Sequence, residues 1–440
     1  MTDTVPNAAP DTVPNIAPDT VTDTGGDAAA DTEGDAVADA GAGAVIDDAT
    51  RVETGTATSP ADGMKPRWHS AHVFYYDGDA TDALLLNGVR PLITALRERG
   101  VSDAYFVRHW LRGPHVRVHV RTDPATWERT VRPLVDEIIG GYLRAHPSAR
   151  TLDLEQEQRA HAWLAELEQE DGPLTPWFPD NSIQYLPYDR RLHVLGTEEA
   201  ADHLAGFHVE TTPLAFRILQ DHQTKSATFG TLISLMLASA QIGCPPITNG
   251  YLSYRSHAEG FFANCGDPSR MRTRYEELYQ ANREPLAARL HAVLAYCDGA
   301  PLTEEDEAAI HYLPEWEPVA RRVLATAEDL ESRKLLRMPS FLLGQDARPG
   351  KGFENISDFH KALIGNEQVR DELASATWFT VYRVLLNFQY LLFSRLGITP
   401  AERFLLCHLA ARTVEDANDL GIDKVIALLH AGRPGGGGPR

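Results

Sequence analysis

The chain of 440 residues carries 62 acidic against 41 basic side chains, a formal net charge of −21, with 43% hydrophobic and 8% aromatic residues. That composition supports a substantial core in one large domain or two fused ones. The acidity excludes a binder that relies on Lys and Arg clustered along a phosphate backbone, so no nucleic-acid partner is expected. The charge is lopsided: residues 1–64 hold thirteen acids and one base, Arg51, so the other 376 residues carry only −9. Four cysteines (Cys244, Cys265, Cys297 and Cys407) form no C-x-x-C pair, which argues against a zinc or redox motif and fits a reduced, cytoplasmic protein. No basic-then-apolar signal opens the chain, and the longest apolar run, Leu232–Ala240, is broken by Ser234 and Ser239. It is too short to cross a bilayer, and no membrane partner is expected.

In chain order, residues 1–64 read as a disordered acidic extension. They are rich in Pro, Gly, Ala and Asp, with a near-repeat at Pro10–Asn15 and Pro18–Val21, and bury too little to offset ordering entropy. The folded body spans 65–431, and 432–440 is a Gly-rich tail. Strands are expected at 72–76, 104–110, 114–122 and 183–188, with helices at 80–99 and 124–146 between them. From residue 198 the period is helical: 198–205, 211–222, 228–242, 251–263, 268–297, 303–335, 356–375, 377–396 and 400–418. The fold class is therefore α+β, a mixed or antiparallel N-terminal sheet with helices, followed by a largely helical C-terminal part.

The segment Phe106–Arg121 carries the densest chemistry. In a strand, Val116, Val118 and Val120 face a core, and His115, Arg117, His119 and Arg121 line the other face as hydrogen-bond donors. Four basic or near-basic groups repel one another, and an anionic or carbonyl-rich ligand would relieve that cost; the alternative is a half-buried strand whose polar face meets water. A second cluster is Tyr251–His257, with Tyr254, Ser256 and His257. No G-x-S-x-G elbow accompanies it, so serine-hydrolase chemistry is not expected. Near the C-terminus, Tyr382, Asn387 and His408 interrupt apolar helical stretches, as satisfied buried residues or inward-facing functional ones. Phosphate-binding loop, dinucleotide fingerprint and HExxH motif are all missing, so neither cofactor nor metal is expected.

Trp68–Tyr76, Phe106–Trp110 and Gly113-Pro114-His115-Val116-Arg117-Val118 together resemble the opening of the thiopeptide-type bacteriocin biosynthesis family, itself similar to the C-terminal elimination domain of class I lantibiotic dehydratases. Ser256–Phe261, Leu386–Tyr390, Gly397–Pro400 and Arg403–His408 extend the likeness over about 68–420. The resemblance implies an elimination-domain-like fold and a peptide-maturation role, with three functions open. The first is a pyridine synthase (macrocyclase) that joins two dehydroalanines of a leader-bearing, azole-containing precursor peptide by formal [4+2] cycloaddition, losing water and leader. It would use His115 and Arg117 to polarise a carbonyl, and Tyr254, Ser256, His257 and Tyr382 as proton donors and relays. Arg108, His119, Arg121, Asn387 and His408 would bind substrate. The second is a split elimination subunit that expels glutamate from glutamylated Ser or Thr, leaning on Arg117 and His408. There the family's second strand arginine is His119, which lacks a bidentate grip on carboxylate. The third is a non-catalytic leader-binding partner of other maturation enzymes.

Overall fold

The computed structural model describes residues 65–153, 172–222, 224–337 and 355–431, with some positions between 155 and 165. The extension 1–64, expected to be disordered, and the tail 432–440, expected to be flexible, lie outside the described residues.

Four strands form one antiparallel sheet in the order β2-β3-β1-β4, with β1 at Arg67–Phe74, β2 at Ala104–His109, β3 at His115–Thr122 and β4 at Ser182–Leu186. The register pairs His72 with Arg117 and Ser70 with His119 across β1 and β3, and Val107 with Arg117 and Tyr105 with His119 across β2 and β3. One face of the sheet is apolar. Ala71, Val73, Phe106, Val116, Val118 and Val120 are buried in a common core with Leu85, Val89, Leu92, Trp127, Val131 and Ile139 from the helices over 81–98 and 124–145. The first helix widens into a π turn at Leu85–Val89, ahead of Pro91, and the second at Trp127–Val131, ahead of Pro133, and again at Val135–Ile139. A proline ring collides with the carbonyl four residues back, and the wider turn moves that carbonyl aside.

The rest of the chain is helical, so the α+β architecture has strands first and helices after. The expected pair 198–205 and 211–222 is one helix, Glu198–Asp221, which runs through Pro213. The long helices expected at 268–297, 303–335 and 356–375 are each broken. Asn282 separates Pro268–Ala281 from Arg283–Cys297, where Pro285 cannot continue the preceding turn. Residues 310–312 and Asn366 mark the other two breaks. At the centre lies Lys225–Gly243, which by length and composition is apolar enough to cross a membrane. Its neighbours 247–264, 283–297, 313–332 and 400–417 cover it, so it is the core helix of the bundle. Gly250 lets the next helix approach closely, since a Cβ there would lie 2.4 Å from the Ala240 carbonyl oxygen.

Candidate active site

Alternation along β3 places His115, Arg117 and His119 on the sheet face opposite the valines, and the register adds His72 and Ser70 from β1 and Tyr105 and His109 from β2. Distant segments roof this face. Phe178 packs on Phe74, His161 on Trp110 and Trp177, Tyr188 on Trp68 and His119, and His208 on Tyr105, all with ring centroids 4.8–5.5 Å apart. Arg117 is the hub. Its Nε donates to His115 Nε2 at 3.1 Å, and its Nη2 lies 3.1 Å from His109 Nδ1.

Those contacts fix the tautomers. His115 Nδ1 sits 2.8 Å from the Gly113 carbonyl, which can only accept, so the proton is on Nδ1 and Nε2 receives Arg117. His109 Nδ1 accepts the Leu111 backbone N–H, so it too offers Arg117 a lone pair. Burial, reinforced by the Arg117 charge, pushes His115 down to about 3 and holds His72, His109 and His119 well below the ordinary imidazole range. At neutral pH the buried part of the row is thus the Arg117 guanidinium among uncharged rings. The mutual repulsion expected of these four basic or near-basic groups is therefore eased by loss of imidazole protons. Buried polar capacity remains, since among the described residues His119 Nδ1, Ser70 Oγ and His208 Nδ1 make no hydrogen bond. Arg121 shares the face but lies at its wet end, half exposed and 3.9 Å from Asp103.

Arg108 lies on the other face. Its neighbour Val107 pairs with Arg117, so Arg108 points with the valines, where Nε donates to the Arg395 carbonyl at 3.0 Å and Nη2 meets Asp82. It clasps the C-terminal turn of the Thr377–Arg395 helix to the sheet, and the expectation that it holds substrate is corrected on that ground.

A second polar cluster lies between helices. Ser256 Oγ is 2.9 Å from His360 Nε2, and Ser357 Oγ is 2.8 Å from His360 Nδ1. His257 Nδ1 is 2.8 Å from the Tyr390 hydroxyl, which also lies 3.4 Å from Cys407 Sγ. Burial, with Arg403 and Arg383 nearby, takes His257 down to about 3. Tyr254 and Tyr382 are both fully buried and their hydroxyls hydrogen-bond to each other; Tyr254 also lies 2.8 Å from the Met236 carbonyl and 3.2 Å from Gln389 Oε1, and Tyr382 donates to the Gly250 carbonyl at 2.9 Å, so the pair ties helices together. Asn387 is half-buried within the Thr377–Arg395 helix. His408 packs on Phe262 and Tyr275, with Nε2 3.5 Å from Glu276, at the limit of a hydrogen bond, and burial lowers it to about 4. No described contact joins it to Arg117.

Sequence reasoning missed His72, His109, Tyr105, Ser70, His208 and His360. The first four were readable from alternation once strand pairing is known; His208 and His360 reach their clusters through tertiary packing and carry no local signal.

Residues 68–414 match the model of the lantibiotic biosynthesis dehydratase C-terminal family. Among solved structures, the chain is similar to the pyridine synthase TbtD from thiomuracin biosynthesis, with 32% identity, 81% of this chain and 100% of that chain covered, and a TM-score of 0.60. TsrL shares the fold at 21% identity, 84% and 100% coverage and a TM-score of 0.62. The tRNA-dependent lantibiotic dehydratase MibB from Microbispora sp. 107891 matches at 14% identity over 84% of this chain and 29% of that one, with a TM-score of 0.45. No curated protein matches the chain.

Proposed function

The chain belongs to the lantibiotic biosynthesis dehydratase C-terminal family, and from that membership we propose that it is a thiopeptide pyridine-forming enzyme acting on a modified precursor peptide. The likeness to the thiomuracin pyridine synthase, which extends over the whole of that chain, carries this reading. The sheet face supplies chemistry to match. Joining two dehydroalanines by formal [4+2] cycloaddition needs an amide as its iminol, with the proton moved from nitrogen to oxygen. A guanidinium polarises the carbonyl oxygen, and a neutral imidazole can accept the N–H proton where an imidazolium could not. Both nitrogens of His115 are engaged, so we assign it the holding of Arg117. His119, with Nδ1 unengaged among the described residues, is assigned the proton acceptor.

After ring closure the former amide oxygen leaves as water and the leader leaves as its carboxamide. We assign Ser256 and His257 to those later proton transfers. Cycloaddition, dehydration and elimination are each redox-neutral, which favours a cofactor-independent lyase. Enzymes that install the azoles and dehydroalanines must act first, and we place the work in the cytoplasm, in keeping with four free cysteines. Glutamate elimination is less well served, since His119 is an uncharged ring where a second guanidinium would be wanted.

Mass spectrometry of the protein mixed with a leader-bearing, thiazole-containing peptide that carries dehydroalanines tests the reading. Release of the leader as an amide, with a core product lighter by leader and one water, is expected. An unchanged peptide alongside glutamate release from a glutamylated peptide would replace this function with elimination.

A further inference from the structure

We propose that His360 is the positioning residue of Ser256, an inference that rests on the reading of Ser256 as a proton relay. A serine inside a helix ordinarily returns its hydroxyl to the carbonyl four residues back. Ser256, within Ile247–Asn264, instead directs it across to His360 on the neighbouring helix Asp358–Gly365, at 2.9 Å. The imidazole is held from its other side, because Ser357 Oγ lies 2.8 Å from Nδ1 and also accepts the His360 backbone N–H at 3.3 Å. Both ring nitrogens are therefore engaged by hydroxyls, which fixes the plane of the ring and the rotamer of Ser256 with it.

His360 is 4% exposed and Ser357 7% exposed while Ser256 is only partly buried, and burial takes the imidazole down to about 4, leaving it uncharged. The helix start does not explain this arrangement. Ser357 caps the helix through a backbone N–H, a bond that any side chain at 360 would leave in place. What the ring adds is a fixed orientation for one hydroxyl on the helix that also carries His257. Orientation of a reacting group within about an ångström is worth on the order of a hundredfold in rate.

The test measures kcat and KM of the full chain on the leader-bearing bis-dehydroalanine peptide for Ser256→Ala, His360→Phe, His360→Gln and the double variant Ser256→Ala/His360→Phe. His360→Phe keeps the bulk and removes both hydrogen bonds; kcat is expected to fall about tenfold to a hundredfold with KM within about twofold. His360→Gln, whose amide can still reach Ser256, should recover part of that loss. In the Ser256→Ala background, His360→Phe should cost nothing more, because the group it orients is gone. If Ser256→Ala turns over at the wild-type rate, the relay reading of Ser256 falls and this inference with it. If Ser256→Ala is impaired and the two losses multiply, Ser256 stands and His360 does not act through it. A fall in leader affinity matching the fall in kcat in both His360 variants would show a structural role and overturn the proposal.

Discussion

The helix that carries Ser256 and His257 is tied to the 400–417 helix by a buried ion pair whose removal should be costly. Arg255 is 2% exposed and Glu415 1%, and the guanidinium meets both carboxylate oxygens, at 2.7 Å and 2.6 Å. Glu259 lies 3.5 Å from Arg255 and receives Arg272, while Arg412 bridges Glu415 and Glu276. Three arginines thus meet three carboxylates. Glu415→Leu breaks that balance and leaves Arg255 in a dry site with a single carboxylate at 3.5 Å. Loss of one partner of a buried pair costs about 3–5 kcal/mol, whereas replacing both with apolar groups is often neutral. With m of roughly 3 kcal/mol/M for a body this large, the urea midpoint of Glu415→Leu should fall by about 1–1.7 M at unchanged m. Arg255→Met/Glu415→Leu should recover most of that fall. Equilibrium urea unfolding followed by far-UV circular dichroism reads both. A single variant within about 1 kcal/mol of wild type, or a double variant no more stable than Glu415→Leu alone, would refute the electrostatic reasoning.

Two other outcomes follow from the sheet and its imidazoles. Arg117→Ala should lower turnover by about a hundredfold to a thousandfold, the loss seen when one donor to a developing oxyanion is removed, while the thermal midpoint moves by only a few degrees; a fully active variant in the mass-spectrometric assay would end its assigned role. Acid should also weaken the fold in a defined window. His115 and His257 are lowered to about 3 and His161, His203, His360 and His408 to about 4, so between there and the unfolded value of 6.5 the unfolded chain binds more protons. The stability each contributes is present above pH 6.5 and is lost as pH falls toward 4, by up to about 1.4 kcal/mol per pH unit per ring. A urea midpoint flat from pH 7 down to 4.5 would contradict this.

What was legible in the sequence depended on the range of the cause. β3 could be read from its alternation because His115, Arg117 and His119 and the three valines obey a local period, and the strands-then-helices order follows from periods alone. The breaks at Asn282, 310–312 and Asn366 were missed because an apolar period continues across them. Arg108 was given a substrate-binding role because the face it takes is set by the pairing of Val107 with Arg117, a contact between strands. Tyr254 and Tyr382 drew attention as polar groups in apolar helices, yet their acceptors, the Met236 and Gly250 carbonyls, become visible only when the helices are packed. His360 joined the site from 104 residues away.

The two faces of β3 divide inheritance from invention. A slip of one residue would drive Arg117 into the apolar layer and expel Val116, Val118 and Val120, so the valines police the register whatever stands between them. Residues at 115, 117 and 119 therefore do not set the register, although His115 and His119 are packed beneath the rings of Phe74 and Tyr188. A scaffold of this kind can pass from one peptide chemistry to another by changes along a single row, with the architecture that presents the row left as it was.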